Sequence, residues 1–249
     1  MAVIAVYSVK GGVGKTTLAV DMAWRSAVRS KHSTLLWDLD PQGGAGWLLG
    51  LPDRTESEAA AVFRKDVKPA DLIVPSRYPG LCVLQADESM RSLPATLARI
   101  GKRKRMARTA ALLASDYARI IIDCPPVLNE ISEQVFAAAD LLIVPLPPSP
   151  LSARALPMIQ AEILAHHPRH PPILPVLSMY DGRRKLHRDV LSGFAAGWPV
   201  IPMSSAIEQT AARRAPIGTF AASGDVNARL QRLWDGIEAK LAMQASLSS

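Results

Sequence analysis

The sequence predicts an α/β fold: a single domain on a mostly parallel, twisted sheet with helices on both faces. Short runs of β-branched and aliphatic residues recur along the chain, separated by segments of helix length. Several of these runs are apolar without alternation, as strands are when both of their faces are covered. No linker divides the 249 residues. The Pro-rich patches Pro145 to Pro150 and His166 to Pro175 each lie beside an apparent strand and read as strand-end loops.

In chain order, strands are expected at Val3 to Tyr7, Thr34 to Asp38, Leu81 to Gln85, Ile120 to Asp123, Leu141 to Val144 and Ile173 to Met179, with a short one at Val200 and Ile201. Amphipathic helices are expected within Lys15 to Ser30, Lys102 to Ser115, Ser132 to Ala139 and Ser152 to Ala165. A last helix carries an apolar stripe, Val226, Leu230, Leu233, Trp234, Ile237 and Leu241, with Arg229, Arg232, Asp235 and Glu238 on its other side. The domain is expected over residues 1–243, with 244–249 a disordered tail.

Composition removes several classes. With 49% hydrophobic and 20% charged residues the chain is no disordered polyelectrolyte, and its two cysteines, Cys82 and Cys124, make no disulfide framework. Two lone thiols fit a reducing compartment. The apolar start lacks the basic flank of an export signal, and no stretch approaches the roughly 20 apolar residues of a membrane span, so a cytoplasmic protein is expected. A net charge of +7 favours an anionic partner without saying which.

The segment Lys10-Gly11-Gly12-Val13-Gly14-Lys15-Thr16-Thr17 follows the first strand and opens a helix. Glycines there let successive backbone N–H groups curl round an anion while the helix aims its positive end at the same place. Lys15 would reach the β- and γ-phosphates, and the Thr16 hydroxyl would bind a Mg²⁺ bridging them. This is a P-loop NTPase pattern with one departure, since Val9 replaces the usual first glycine and a second lysine, Lys10, opens the loop.

That loop resembles the deviant Walker A box of the ParA/MinD family of ATPases, and three further segments resemble the same family. They are Leu35 to Gly43, with its Asp38-Leu39-Asp40-Pro41-Gln42-Gly43; Ile120 to Pro126, like a Walker B and switch segment; and the late loops Met179-Tyr180-Asp181-Gly182-Arg183 and Ile201-Pro202. The resemblance implies an ATPase that slowly hydrolyses ATP to ADP and phosphate. In it Asp40 positions the attacking water, Asp123 contacts the Mg²⁺ shell and Asp38 supports metal or loop from behind. Met179, Pro202 and Met203 would flank the base. Lys10 would reach the partner's nucleotide across an ATP-dependent homodimer, much as an arginine finger supplied in trans does.

The closest likeness is to small ParA-type partition ATPases without an N-terminal DNA-binding extension, because the chain begins almost at the first strand. These imply nonspecific binding of double-stranded DNA, stimulation by a ParB-type protein, and a nucleoid-associated, cytoplasmic life positioning a plasmid, a chromosome region or a protein cargo. Arg183 falls where the family places one DNA-contacting arginine; Ala206 stands at the second such place, which moves the expected contact to Arg213 and Arg214. Arg184, Lys185 and Arg188 extend the first cluster, and Lys102 to Arg105 with Arg108 form another. A MinD-like membrane-associated ATPase is the alternative, though its terminal helix should be richer in Lys and Arg than this one. An iron–sulfur reading of Cys124 fails for want of a second nearby thiol.

Overall fold

The central strand of the computed structural model, β1 (Ala2–Val6), is buried along its whole length because it divides its side chains between two apolar layers. Val3 and Ala5 enter one layer; Ala2, Ile4 and Val6 enter the other. The same alternation runs through β5 (Arg119–Asp123) and β6 (Leu141–Leu146), where Ile120 and Ile122 oppose Ile121, and Leu142 and Val144 oppose Leu141 and Ile143. Uniformly apolar runs are thus the signature of a sheet with two covered faces.

The remaining strands are β2 (Thr34–Asp38), β3 (Ile73–Pro75), β4 (Leu81–Leu84), β7 (Ile173–Tyr180) and β8 (Val200–Pro202), and the sheet order is β3-β4-β2-β5-β1-β6-β7-β8. All pairings are parallel except β3 with β4. The helices are α1 (Lys15–Trp24), α2 (Gly44–Leu48), α3 (Ala61–Arg64), α4 (Pro69–Leu72), α5 (Leu93–Ile100), α6 (Arg105–Leu112), α7 (Glu130–Ala138), α8 (Pro150–His166), α9 (Lys185–Ser192), α10 (Ser205–Arg213) and α11 (Asp225–Ser248). The structure describes residues 1–53, 58–64, 66–100, 104–166 and 171–248.

The expected strands are all present, and β3 is an addition. It is three residues long, ends in Pro75 and lies at the sheet edge, where a proline without an N–H is tolerated and no periodicity can show. The segment Pro145 to Pro150 is only partly loop, since β6 runs through Pro145, which pairs with Val176. The first helix stops being regular at Trp24 and continues as a π-helical segment, Arg25–Arg29. Of the expected Lys102 to Ser115 helix, Lys102 and Arg103 lie outside the described residues, and regular helix starts at Arg105. The start of α7 is fixed by a reciprocal cap: Ile131 N donates to Asn129 Oδ1 (3.0 Å) and Asn129 N donates to Ser132 Oγ (2.9 Å).

At the other end α11 continues through Ser248, across residues 244–248 that were expected to be disordered; Ala242, Met243, Gln244 and Ala245 are good helix formers and nothing there breaks the turn. Its apolar stripe, from Val226 to Leu241, is buried in the same layer as α1. That face is core and is not presented to lipid. Among the described residues, no helix is long and apolar enough to cross a membrane.

The topology also sets where a ligand can bind. Strand β1 lies between β5 and β6, and the chain leaves it toward β2 on one side while β6, β7 and β8 extend the sheet on the other. Such a reversal opens a crevice beyond the carboxyl ends of the strands.

Candidate functional site: a phosphate loop facing three aspartates

The loop that leaves β1 turns twice through left-handed backbone, at Gly12 (φ 69°) and at Gly14 (φ 90°), the residue before α1. Cβ atoms there would be strained, so glycine is needed at both. Around Gly11, Gly12 and Gly14 there is open space, with no atom within 4 Å of where a Cβ would stand. Val13 is buried and anchors the loop, while Lys10, Thr16 and Thr17 are half-buried. Lys15 opens α1 and is buried, and its Nζ donates to the Lys10 carbonyl oxygen at 2.9 Å. Burial pulls the Lys15 pKa below its ordinary value, with Asp123 and Asp40 acting in the opposite sense. The ammonium is folded back on its own loop with no carboxylate in ion-pair contact among the described residues.

Parallel register sets two of the aspartates side by side, Asp38 at the end of β2 opposite Asp123 at the end of β5. Asp123 is fully buried, and neither carboxylate oxygen has a hydrogen-bond partner. Burial, and then the neighbouring Asp38, push its pKa well above the carboxylate range. The Thr16 side chain is near enough to favour the charged form, but its geometry falls short of a hydrogen bond. Asp38 is different. Its Oδ1 accepts from Asp40 N (2.9 Å) and its Oδ2 from Ala45 N (3.0 Å), yet burial still pushes it up to about 7. Its oxygens are used to hold the turn into α2, which makes it a support for the loop and leaves it poorly placed as a direct metal ligand. Half-buried Asp40 accepts from Gln42 N through Oδ1 (3.0 Å) and from Gly43 N through its carbonyl (2.9 Å).

These residues fit a nucleotide-borne Mg²⁺. Among the described residues no group of three or more His, Cys, Asp or Glu could cage a metal. A phosphate-bridging ion needs no cage; it needs a hydroxyl and a carboxylate behind it, which is what Thr16 and the unpaired oxygens of Asp123 offer. Cys124, just past the end of β5, is buried and its thiol is pushed well up by burial, and Cys82 lies on β4; two free thiols so placed make no cluster site.

An apolar cavity of about 110 Å³ opens beside the loop. Gly14 and Thr17 form one wall and Met179, Pro202 and Met203 the other, so the three residues expected to flank the base do converge there. Met203 N donates to the Tyr180 carbonyl at 2.8 Å, joining the two late loops, and Met179 takes a left-handed φ of 57°. Sequence reasoning missed the inner wall, Ser178, Ile207 and Ile217, which carries no motif. Ser178 Oγ is buried without a partner.

The expected DNA-contacting residues are dispersed. Arg183 makes a bidentate pair with Asp181 (Nε–Oδ1 2.9 Å, Nη2–Oδ2 3.0 Å), and this hydrogen bonding lowers the Asp181 pKa to about 2. Lys185 pairs with Asp189 at 2.8 Å, and Arg188 Nη1 donates to the carbonyls of Gly182 (2.8 Å) and Arg183 (2.9 Å). Arg184 is exposed at the start of α9. Arg213 ends α10, and the next residue, Arg214, donates to the carbonyls of Trp47 (3.0 Å) and Leu51 (2.7 Å). Arg214 thus pins α10 to α2, a structural use the sequence did not foretell.

Residues 1–169 match the AAA domain family. The chromosome partitioning protein ParA of Caulobacter vibrioides is 32% identical over 199 residues, 76% of this chain and 74% of that protein. Among solved structures, an ATP complex of a Cyanothece McdA variant superposes with a TM-score of 0.83 at 19% identity over 96% of both chains, a likeness of fold. Cobyrinic acid a,c-diamide synthase of Mycobacterium smegmatis, with bound ATP analogue and magnesium, superposes with a TM-score of 0.73 at 28% identity, over 90% of this chain and 93% of that one.

Proposed function

Because the chain belongs to the ParA/MinD-type family of P-loop ATPases, we propose that it is a Mg-ATP-dependent partition or positioning ATPase that acts as a timer. In the ATP state two protomers form a sandwich dimer and hold double-stranded DNA without sequence preference. Slow hydrolysis, stimulated by a ParB-type partner, releases them. The cargo is a plasmid, a chromosome region or a protein assembly, and the protein is cytoplasmic and nucleoid-associated.

One observation carries this reading: a buried carboxylate with both oxygens unpaired, Asp123, stands beside a buried lysine whose only hydrogen-bond partner among the described residues is its own loop. Both groups are costly as they stand and would be satisfied by a metal–triphosphate. On binding, Lys15 would turn from the Lys10 carbonyl to the phosphates, the loop N–H groups would receive the phosphate oxygens, and Thr16 with Asp123 would hold the Mg²⁺. The ion would supply neutralisation of the charge that spreads onto the leaving oxygens. Asp40 would orient the attacking water through its remaining oxygen, and Asp38 would keep Asp40 and α2 in place. Thr17, Met179, Pro202 and Met203 would hold the base. Lys10, half-buried at the loop's outer edge, would complete the partner's site, coupling association to nucleotide.

The test is a duplex-DNA mobility shift with no nucleotide, ADP, ATP and a nonhydrolysable analogue, run beside Asp40→Ala. ATP and the analogue should retard DNA where ADP does not, and Asp40→Ala should persist in the bound state. Identical lanes would remove the switching mechanism. In light scattering, Lys10→Ala should bind ATP yet remain monomeric; a dimer fraction equal to wild type would overturn the role given to Lys10.

A further inference from the structure

We propose that the DNA backbone docks on a cationic cleft between Arg77 and Arg213, at the end of the sheet away from the nucleotide, and not on the loop 181–188. This rests on the DNA-binding reading above and gives it a place. Arg77 and Tyr78 occupy the turn between β3 and β4, closed by Ser76 N to the Leu81 carbonyl (2.9 Å) and Leu81 N to the Tyr78 carbonyl (3.1 Å). Strand β4 runs parallel to β2 from the pair Thr34–Leu81, so this turn lies where the parallel strands begin, at the end opposite the phosphate loop. Arg213 at the end of α10 and Phe220 beyond it form the other side of an open cleft of about 470 Å³, completed by Ala215 and Thr219.

The cleft differs from the loop 181–188 in what holds its cations. The Arg77 guanidinium lies 5.3 Å from the centre of the Tyr78 ring, and that of Arg213 lies 4.9 Å from the centre of Phe220. Arg77 Nε donates to Tyr78 Oη (3.2 Å), and its Nη2 donates to the Arg214 carbonyl. Gly50, with φ +81° and no side chain, lets the guanidinium approach to 3.4 Å of where a Cβ would be. Arg213 Nε donates to Gln209 Oε1 at 3.2 Å. Every one of these partners is neutral, and among the described residues no carboxylate lines the cleft. Both cations are therefore pre-ordered by neutral partners, so a phosphate would gain charge-assisted bonds at little further cost in side-chain entropy. At the loop, Asp181 and Asp189 already hold Arg183 and Lys185, and a phosphate would have to displace them; Arg188 is held by the Gly182 and Arg183 carbonyls and Arg184 is exposed, so the contrast lies with Arg183 and Lys185. The cleft is open and shallow, as the rounded backbone of a duplex requires, and its rings are occupied in stacking on arginines. A dimer closed over the nucleotides would leave both clefts exposed, so ATP would strengthen DNA binding by joining two weak sites.

The experiment measures fluorescence anisotropy of a labelled duplex across a salt titration, with the nonhydrolysable analogue present. Arg77→Gln/Arg213→Gln should weaken binding about 10-fold or more and lower the slope of log K against log salt by about 2 per protomer. Thr219→Glu, which places a carboxylate in the cleft and removes no cation, should also weaken binding and decides the matter if the double variant melts early. Arg183→Gln/Lys185→Gln should bind within about 2-fold of wild type. Cleft variants at wild-type affinity and slope, with loss confined to the Arg183 variant, would overturn the cleft and leave DNA binding standing. A wild type that binds no duplex in any nucleotide state would overturn both. Tighter binding of single strands than of duplex would contradict the assignment, since the rings would then be stacking on bases.

Discussion

Helix α1 carries a buried cation at each end, and the fold treats the two in opposite ways. At its carboxyl end Arg25 is fully enclosed and fully satisfied, with Nε on Asp21 Oδ2 (2.6 Å), Nη1 on Gln231 Oε1 (2.7 Å) and Nη2 on Asn227 Oδ1 (2.6 Å). At its amino end Lys15 has one neutral partner, while Asp123, the acid whose charge acts on it most, is left unbonded. Its three bonds make Arg25 a staple between α1 and α11, although Asp21 Oδ1 is buried without a partner. Incompleteness makes the second a receptor, because a chain that merely needed stability would not leave a lysine and an aspartate buried and unjoined.

The largest effect expected from breaking this contrast is at the staple. Arg25→Met should cost about 3–5 kcal/mol in urea unfolding, because Asp21 is stranded as a buried carboxylate, whereas Asp21→Leu/Arg25→Met should recover at least half of the loss. Lys15→Ala should do the reverse, with stability unchanged or raised and ATP hydrolysis down by roughly 100-fold or more in a phosphate-release assay. If Lys15→Ala destabilised the free protein as much as Arg25→Met, the receptor reading would fail.

A pH titration sharpens the same point at intermediate size. Asp38, pushed up to about 7, and Asp123, pushed well above the carboxylate range, hold protons in the folded chain that the unfolded chain has released. Raised carboxyls contribute stability that is present in full below the unfolded value, near pH 4, and is lost as pH rises toward 7. Melting temperature without ligand should therefore decline over that window. Asp123→Asn should flatten the decline, by on the order of 1 kcal/mol at neutral pH; an unaltered slope would mean that Asp123 is already charged and paired. The smallest effect is at the surface, where Asp181→Asn should leave the melting curve nearly unchanged, since its partner Arg183 is exposed and water screens the pair from that side.

Much of this was legible in the sequence, for a local reason. Unbroken aliphatic runs declare strands covered on both faces, and strand-end aspartates with a glycine loop declare the crevice, because each is written within a dozen neighbouring residues. What could not be read depends on distant pairs. Arg25 meets Asn227 across 202 positions and Arg77 meets Arg214 across 137, and neither arginine stands in a motif. The clustered cations Arg183 to Arg188 could not be weighed by a charge count, because Asp181 and Asp189 pair with Arg183 and Lys185 while Arg188 bonds only to backbone carbonyls. The contact between Asp38 and the N–H of Ala45 likewise shows only in three dimensions.

That last bond gives the molecule an optical handle. Asp38 grips the first turn of α2, and Trp47 rides on that helix, 40% exposed and 5.1 Å above the Arg214 guanidinium. Trp24, Trp37 and Trp234 are buried and Trp198 is half-buried, so Trp47 is the most exposed of the five indoles, and emission that iodide still quenches in a Trp198→Phe variant reports on it. Any event that alters the grip of Asp38, whether protonation or the arrival of a charged ligand beside Asp123, would be heard first as a shift in that one indole's colour.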